Sequence, residues 1–319
     1  MIRAINQALR DEMSRDRDVY VIGEDVAEGG PYGATRDLVD TFGAGRIRDT
    51  PISEGTVMGV AIGLALAGLR PVVEIMFIDF ITLALDQLVN QAAKARYMSG
   101  GQLSVPLVVR TQGGAGVRSG AQHSQSLEAW LAHVPGLAVA MPATAADAAG
   151  LLLTAIRGDD PVVIVENKSI YYRREEVPQP FAPVPLGVAM VRRPGRDVTV
   201  VATSRLVGEA LAAADELSSD GVEVEVIDPR TLQPLDLDTI VESVSRTGRC
   251  VVAHEAVRAY GFGAEVAAAV QERVLDRMHA PVIRVAAPFV PVPTSSALED
   301  AYLVGRPQIV SAIREVIGW

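Results

Sequence analysis

Cysteine is all but missing from this chain: Cys250 is the only one in 319 residues, so no internal disulfide and no cysteine-rich metal site can form. Cys250 lies in the apolar run CVVA and reads as a buried core thiol. Histidine is scarce as well, at four, and neither CxxC nor HxxxH spacing occurs, so no metal ligands are expected from this chain. Basic residues are outnumbered, 29 Lys and Arg against 39 Asp and Glu, a net charge of -10. Phosphate backbones need clustered cations, so a nucleic-acid surface is excluded and the partners expected are proteins or small molecules. Long hydrophobic runs are missing too. The stretch from Val57 to Leu69 falls short of the roughly 20 residues that cross a bilayer. The amino terminus carries Met1, Ile2, Ile5 and Leu9 at helical spacing with Arg3, Arg10 and Asp11 between them, unlike a signal peptide, and a cytoplasmic address is expected. Neither G-x-x-x-x-G-K-[ST] nor a strand-to-helix G-x-G-x-x-G is found, so no familiar phosphate cradle is present.

What is there is apolar and rhythmic. Hydrophobic residues make up 49% and charged residues 21%, the balance of a globular chain, and 319 residues suit two α/β domains. The runs VYVIG, PVVEIM, VPLVVR, GLAVAMP and PVVIVE alternate with helical patterns. Uninterrupted aliphatic runs predict strands buried on both faces, hence a parallel sheet with helices on either side. Prolines 178, 180, 183 and 185 forbid a regular element and predict a linker over 176–186, leaving domains at 1–175 and 187–319. Beyond it DVTVVAT, a helix from about Arg205 to Ser218, VEVEVID, a helix near Asp236 to Ser245, RCVVAHEA and PVIRVAA repeat the rhythm in a smaller α/β domain.

Four places carry candidate chemistry. In DTPISEG, Pro51 and Ser53 signal a helix start and put Glu54 in the first turn of a Gly- and Ala-rich helix. Glu54 either complements the helix dipole, worth about 0.3–1 kcal/mol, or is a partly desolvated acid that shares a proton with a ligand nitrogen. VYVIGEDVAEGG delivers Glu24 and Asp25 at the carboxyl end of a buried strand, where open α/β sheets bind ligands; Glu24 is the better candidate. Phe77 and Phe80 follow the strand PVVEIM, either as core or, for Phe80, as a platform for a planar ring. The loop from Thr111 to Trp130, with Gly113, Gly114, Gly116 and Gly120, allows close backbone approach to a ligand, and places His123 ahead of a helix that Ser124 or Ser126 could cap. His123 is either an acid or base working near neutral pH or a residue bonding its own loop. The glycine pair in AYGFGAE has no reading of its own.

In order along the chain, GEDVAEGG, DTPISEG, GLRPVVEIMF, AKARYMSGG, AQHSQSLEAW, PGLAVAMPATAADAAGLL, PVVIVEN and EVIDPRTLQPLD resemble the β subunits of thiamine-diphosphate-dependent 2-oxoacid dehydrogenases, including pyruvate, branched-chain and acetoin types. The resemblance implies a pyrimidine-binding domain followed by a transketolase-like C-terminal domain. It puts Glu54 opposite the aminopyrimidine nitrogen of the coenzyme, where an acid favours the imino tautomer and so activates it. It also makes His123 the active-site histidine, Glu24 a second acid near the cofactor and Phe80 an aromatic beside the pyrimidine. Asp25, Thr56, Val57, Met58 and EIMFIDF lean toward bacterial acetoin or unspecialised enzymes.

The family holds the diphosphate and Mg²⁺ with a G-D-G motif followed by asparagines. The nearest stretch, Gly158-Asp159-Asp160-Pro161, lacks the second glycine. The resemblance therefore implies an α subunit carrying that half, in a heterotetramer of two α and two β chains that serves a dihydrolipoyl acyltransferase core. Two other readings stay open: a transketolase-like two-carbon transferase loading a carrier protein, and a coenzyme A transferase β subunit, whose S-E-N-G motif is echoed by Ser53, Glu54 and Gly55.

Overall fold

In the computed structural model, which describes residues 1–318, the chain forms two compact units. One comprises Met1–Gly113 with Trp130–Leu186; the other comprises Gly114–Ala129 with the residues from Gly187 onward.

The first unit contains α1 (Ile2–Arg15), β1 (Val19–Gly23), α2 (Leu38–Phe42), β2 (Ile47–Asp49), α3 (Glu54–Leu66), β3 (Arg70–Ile75), α4 (Ala93–Met98) and β4 (Val108–Gly113). After the short helix α5 (Glu128–Ala132) come β5 (Ala138–Ala140), α6 (Ala145–Arg157) and β6 (Val162–Asn167). Its six strands lie in the order β5-β6-β4-β3-β1-β2, every pair parallel. Every residue of β4 and β6 is buried, which is why those runs carry no polar alternation. Ile5, Leu9 and Met13 of α1 join Ala149, Leu152 and Ile156 of α6 in one core cluster. At roughly 25 cal/mol per Å² of apolar surface, such burial is the main stabilising contribution to the unit.

The second unit contains β7 (Met190–Arg193), β8 (Val198–Ala202), α7 (Arg205–Ser218), β9 (Val224–Asp228), β10 (Thr231–Gln233), α8 (Leu237–Thr247), β11 (Cys250–Val257), α9 (Phe262–Val274), β12 (Ile283–Ala287), α10 (Ser296–Tyr302) and α11 (Arg306–Ile317). The sheet order is β12-β11-β8-β9-β7, parallel except that β7 runs antiparallel to β9 at the edge; β10 stands outside it. The helix expected over Arg205–Ser218 is present with those bounds, its Ala210, Ala213 and Ala214 fully buried. Among the described residues no helix is long and apolar enough to cross a membrane.

Candidate active site

In the first unit the carboxyl end of β1 and the start of α3 come together. Thr50 N donates to Gly23 O at 3.0 Å, tying the chain ahead of α3 to the last residue of β1. Gly23 has no room for a side chain, since a Cβ there would lie 2.6 Å from Glu74 O. The next residue, Glu24, is half-buried, and its carboxyl is held above the usual range by that burial and by the negative charges of Asp25 and Glu54. Glu54 opens α3, as expected, but Ser53 does not cap it: the Ser53 hydroxyl donates to Pro51 O at 3.1 Å. The first-turn amides thus keep their donors, a setting that favours an anion.

Phe80 follows β3 in a 3₁₀ turn and is half-buried. Phe77 meets it edge-on with centroids 5.9 Å apart, and Tyr32 meets Phe77 at 6.4 Å. Lys168, itself buried, holds its ammonium 5.1 Å from the Phe77 ring centre.

Beneath lies a charged network that the sequence reading missed. Arg110 of β4 donates to Glu74 of β3 at 2.8 Å and to both oxygens of Glu166 of β6 at 2.8 and 2.7 Å; Tyr171 OH donates to Glu166 at 2.5 Å. All four side chains are buried. Burial pushes the Glu74 carboxyl above its ordinary range, with Arg110 pulling the other way. The signal was in the sequence: VVEIM, VVRTQ and VIVEN each turn polar at the carboxyl end of an aliphatic run.

His123 sits in the second unit, in the glycine-rich loop, with its backbone N–H donating to Gly120 O at 3.4 Å. Gly114 N donates to Gln125 O at 3.1 Å, closing the loop. Ser124 does not cap the next helix: its hydroxyl is buried without a partner, and the helix begins only at Glu128. The Glu128 carboxyl is buried and pushed up to about 7 by burial and by Glu255. The glycines of AYGFGAE also find their reason, because a Cβ on Gly261 or Gly263 would lie 2.5 or 2.8 Å from the buried ring of His254.

Asp159 and Asp160, the residues nearest to a metal motif, pair instead with Arg70 at 2.9 Å and Arg96 at 2.5 Å. Among the described residues no cluster of three or more His, Cys, Asp or Glu is placed to hold a metal. Two neighbouring acids and an aromatic ring have the chemistry that a pyrimidine ring calls for, whereas Asp159 and Asp160, held by arginines, do not have that of a diphosphate and its metal.

Residues 1–173 match the model of the transketolase pyrimidine-binding domain, and residues 187–309 that of the transketolase C-terminal domain. The acetoin:2,6-dichlorophenolindophenol oxidoreductase subunit beta of Bacillus subtilis (strain 168) is 45% identical over 100% of this chain and 97% of its own. The chain belongs to the β-subunit family of pyruvate and acetoin dehydrogenases. Another of these β subunits, from the pyruvate dehydrogenase E1 component of Rhizobium meliloti (strain 1021), is 44% identical over 98% of this chain and 68% of its own. Both matching domain models are those of transketolase, which sets aside the coenzyme A transferase reading. The fold is shared with a split-gene transketolase solved as an inactive β4 tetramer, at TM-score 0.81 and 24% identity over 99% of this chain and 97% of that one.

Proposed function

We propose that this chain is the β half of the decarboxylating component of a cytoplasmic 2-oxoacid or acetoin dehydrogenase complex, using thiamine diphosphate and Mg²⁺ with an α subunit, in an arrangement of two α and two β chains. Residues 1–175 form its pyrimidine-binding domain and 187–319 its C-terminal domain, joined through 176–186. The observation that carries this reading is Glu54 at the first turn of α3, close enough to Glu24 for their charges to act on each other.

Thiamine diphosphate, when bound, supplies a nucleophilic carbon and a cationic ring that takes up electrons from the bond being broken. Glu54 would hydrogen-bond the pyrimidine nitrogen and pass a proton to it, and the uncapped first-turn amides of α3 favour the carboxylate that this leaves. Glu24 keeps a proton more readily than an ordinary glutamate, so it limits the negative charge around Glu54. Phe80 would offer its ring to the pyrimidine, and His123 would serve the later steps, holding or moving a proton during acyl transfer to a lipoyl group. The diphosphate and Mg²⁺ fall to the α subunit.

The surface of the first unit supports a partner. Apolar residues run right round α3, yet Val60 and Leu66 are exposed, as are Ile52 before it and Leu83 after β3. A helix apolar on every side is ordinarily buried.

The test is to co-express the chain with its α subunit and follow dichlorophenolindophenol reduction with pyruvate and with acetoin. Turnover with at least one is expected, and Glu54→Gln should abolish it in a folded complex. A lost charge-assisted hydrogen bond explains about 10- to 100-fold, so any larger loss points to proton control at the pyrimidine. Wild-type turnover by Glu54→Gln overturns the assignment.

A further inference from the structure

We propose that Glu299 is a positioning residue for the His123 loop: it holds the loop in the shape that presents His123, and so governs the steps in which that histidine takes part. The proposal rests on the reading of His123 given above.

Glu299 belongs to α10 and is fully buried, and a carboxylate in that position must find partners. The hydrogen bonds it accepts come from the loop. Gly116 N donates to Oε1 at 2.8 Å, Arg118 N donates to Oε2 at 3.1 Å, and the Arg118 guanidinium donates to Oε2 at 2.7 Å. The same guanidinium reaches Asp300 at 2.6 Å and Ser296 O at 3.1 Å. A single helix thus binds Arg118 through both its backbone and its side chain.

The loop needs this hold because its backbone is unfavourable. Gly114, Gly116 and Gly120 have positive φ, and so does Arg118, at 63°, where a side chain is disfavoured. Arg118 keeps that conformation because one carboxylate accepts from its N–H and its guanidinium together. Two residues on, Gly120 lies against the segment that leads into α10: a Cβ there would sit 2.6 Å from the Thr294 hydroxyl oxygen. Gly120 O in turn accepts from His123 N, so the path from Glu299 to His123 is continuous and short. On the other side of the clamp, Ala115 joins Ala287, Val292 and Tyr302 in a small core, which keeps the loop base from sliding.

An amide in place of the Glu299 carboxylate keeps one acceptor oxygen and turns an NH₂ toward donors. It leaves the fold of the sheet alone and releases the loop. In the αβ enzyme assayed with dichlorophenolindophenol, Glu299→Gln should lower kcat about 10- to 100-fold, the effect of displacing a reacting group by roughly 1 Å, with KM changed less than about threefold. If Glu299→Gln fails to fold, Arg118→Gln, on a partly exposed side chain, should lower kcat about 3- to 10-fold in the same way. The deciding measurement is the cycle with His123→Ala. If Glu299 works through His123, adding Glu299→Gln or Arg118→Gln to His123→Ala should cost less than about twofold more. Full turnover in both clamp variants overturns the proposal, as does a loss that multiplies undiminished onto His123→Ala. Wild-type turnover by His123→Ala alone would remove the reading of the histidine itself, and the proposal with it.

Discussion

Two buried groups of the second unit pull its stability in opposite directions with pH. Burial lowers the His254 imidazole from 6.5 to about 4, and burial with the nearby Glu255 raises the Glu128 carboxyl from 4.5 to about 7. His254 is neutral when folded and takes a proton when unfolded, so its contribution is complete above pH 6.5 and is lost as the pH falls toward 4. Glu128 stays protonated when folded and ionises when unfolded, so its contribution is complete below pH 4.5 and is lost as the pH rises toward 7. Each is worth about 3 kcal/mol at the far end of its range, so across the window between them they nearly cancel. Glu128→Gln should uncover the histidine alone, with urea stability rising by about 2 kcal/mol between pH 4.5 and 6.5; a profile parallel to that of the wild type would refute the opposition. Neither group was legible in the sequence. His254 and Glu128 look like any His and Glu beside apolar residues, and only the fold decides that no water reaches them. Glu54 was legible, because a helix start writes itself locally into DTPISEG.

The strands of the first unit were readable because burial on both faces removes polar alternation from β1, β3, β4 and β6. Registry between them was not readable, and registry is what sets Glu74 opposite Arg110 and Gln112 opposite Glu166. Three strands far apart in sequence contribute one charged layer, and no local pattern says that the charges meet. Arg110→Met would leave Glu74 and Glu166 buried without their cation, which should cost about 3–5 kcal/mol. The loss should be smaller at pH 5 than at pH 8, because Glu74, which burial already holds above its ordinary range, takes up a proton there and relieves the repulsion. A melting temperature within about 2 °C of wild type at pH 8 would mean that the network contributes little. The helix start signalled by Pro51 and Ser53 is where the sequence put it, but the Ser53 hydroxyl donates to Pro51 O and not to the helix, and the helix after Ser124 begins too late for that serine to cap it.

At the scale of the whole molecule, the sequence spoke through what it lacks. Gly158-Asp159-Asp160-Pro161 offered the only approach to a metal motif, and its two carboxylates are taken by Arg70 and Arg96. In the proposed assignment, what remains for thiamine diphosphate on this chain is a charge-assisted hydrogen bond from Glu54, worth about 1.5–3 kcal/mol, and stacking on Phe80, worth about 0.5–1.5 kcal/mol. Association costs on the order of 4–15 kcal/mol in lost translational and rotational freedom, so these contacts leave little or nothing over. Calorimetric titration of thiamine diphosphate and Mg²⁺ into the isolated chain should therefore give binding no tighter than about millimolar, near 4 kcal/mol. The chain co-purified with its α subunit should bind in the micromolar range, because the diphosphate and its metal then find ligands. The difference should persist in Glu54→Gln, weakened by no more than about 100-fold, since most of the affinity comes from the partner. Micromolar binding by the isolated chain would overturn the division of the cofactor between two subunits, and would require a diphosphate site on residues that here pair with arginine.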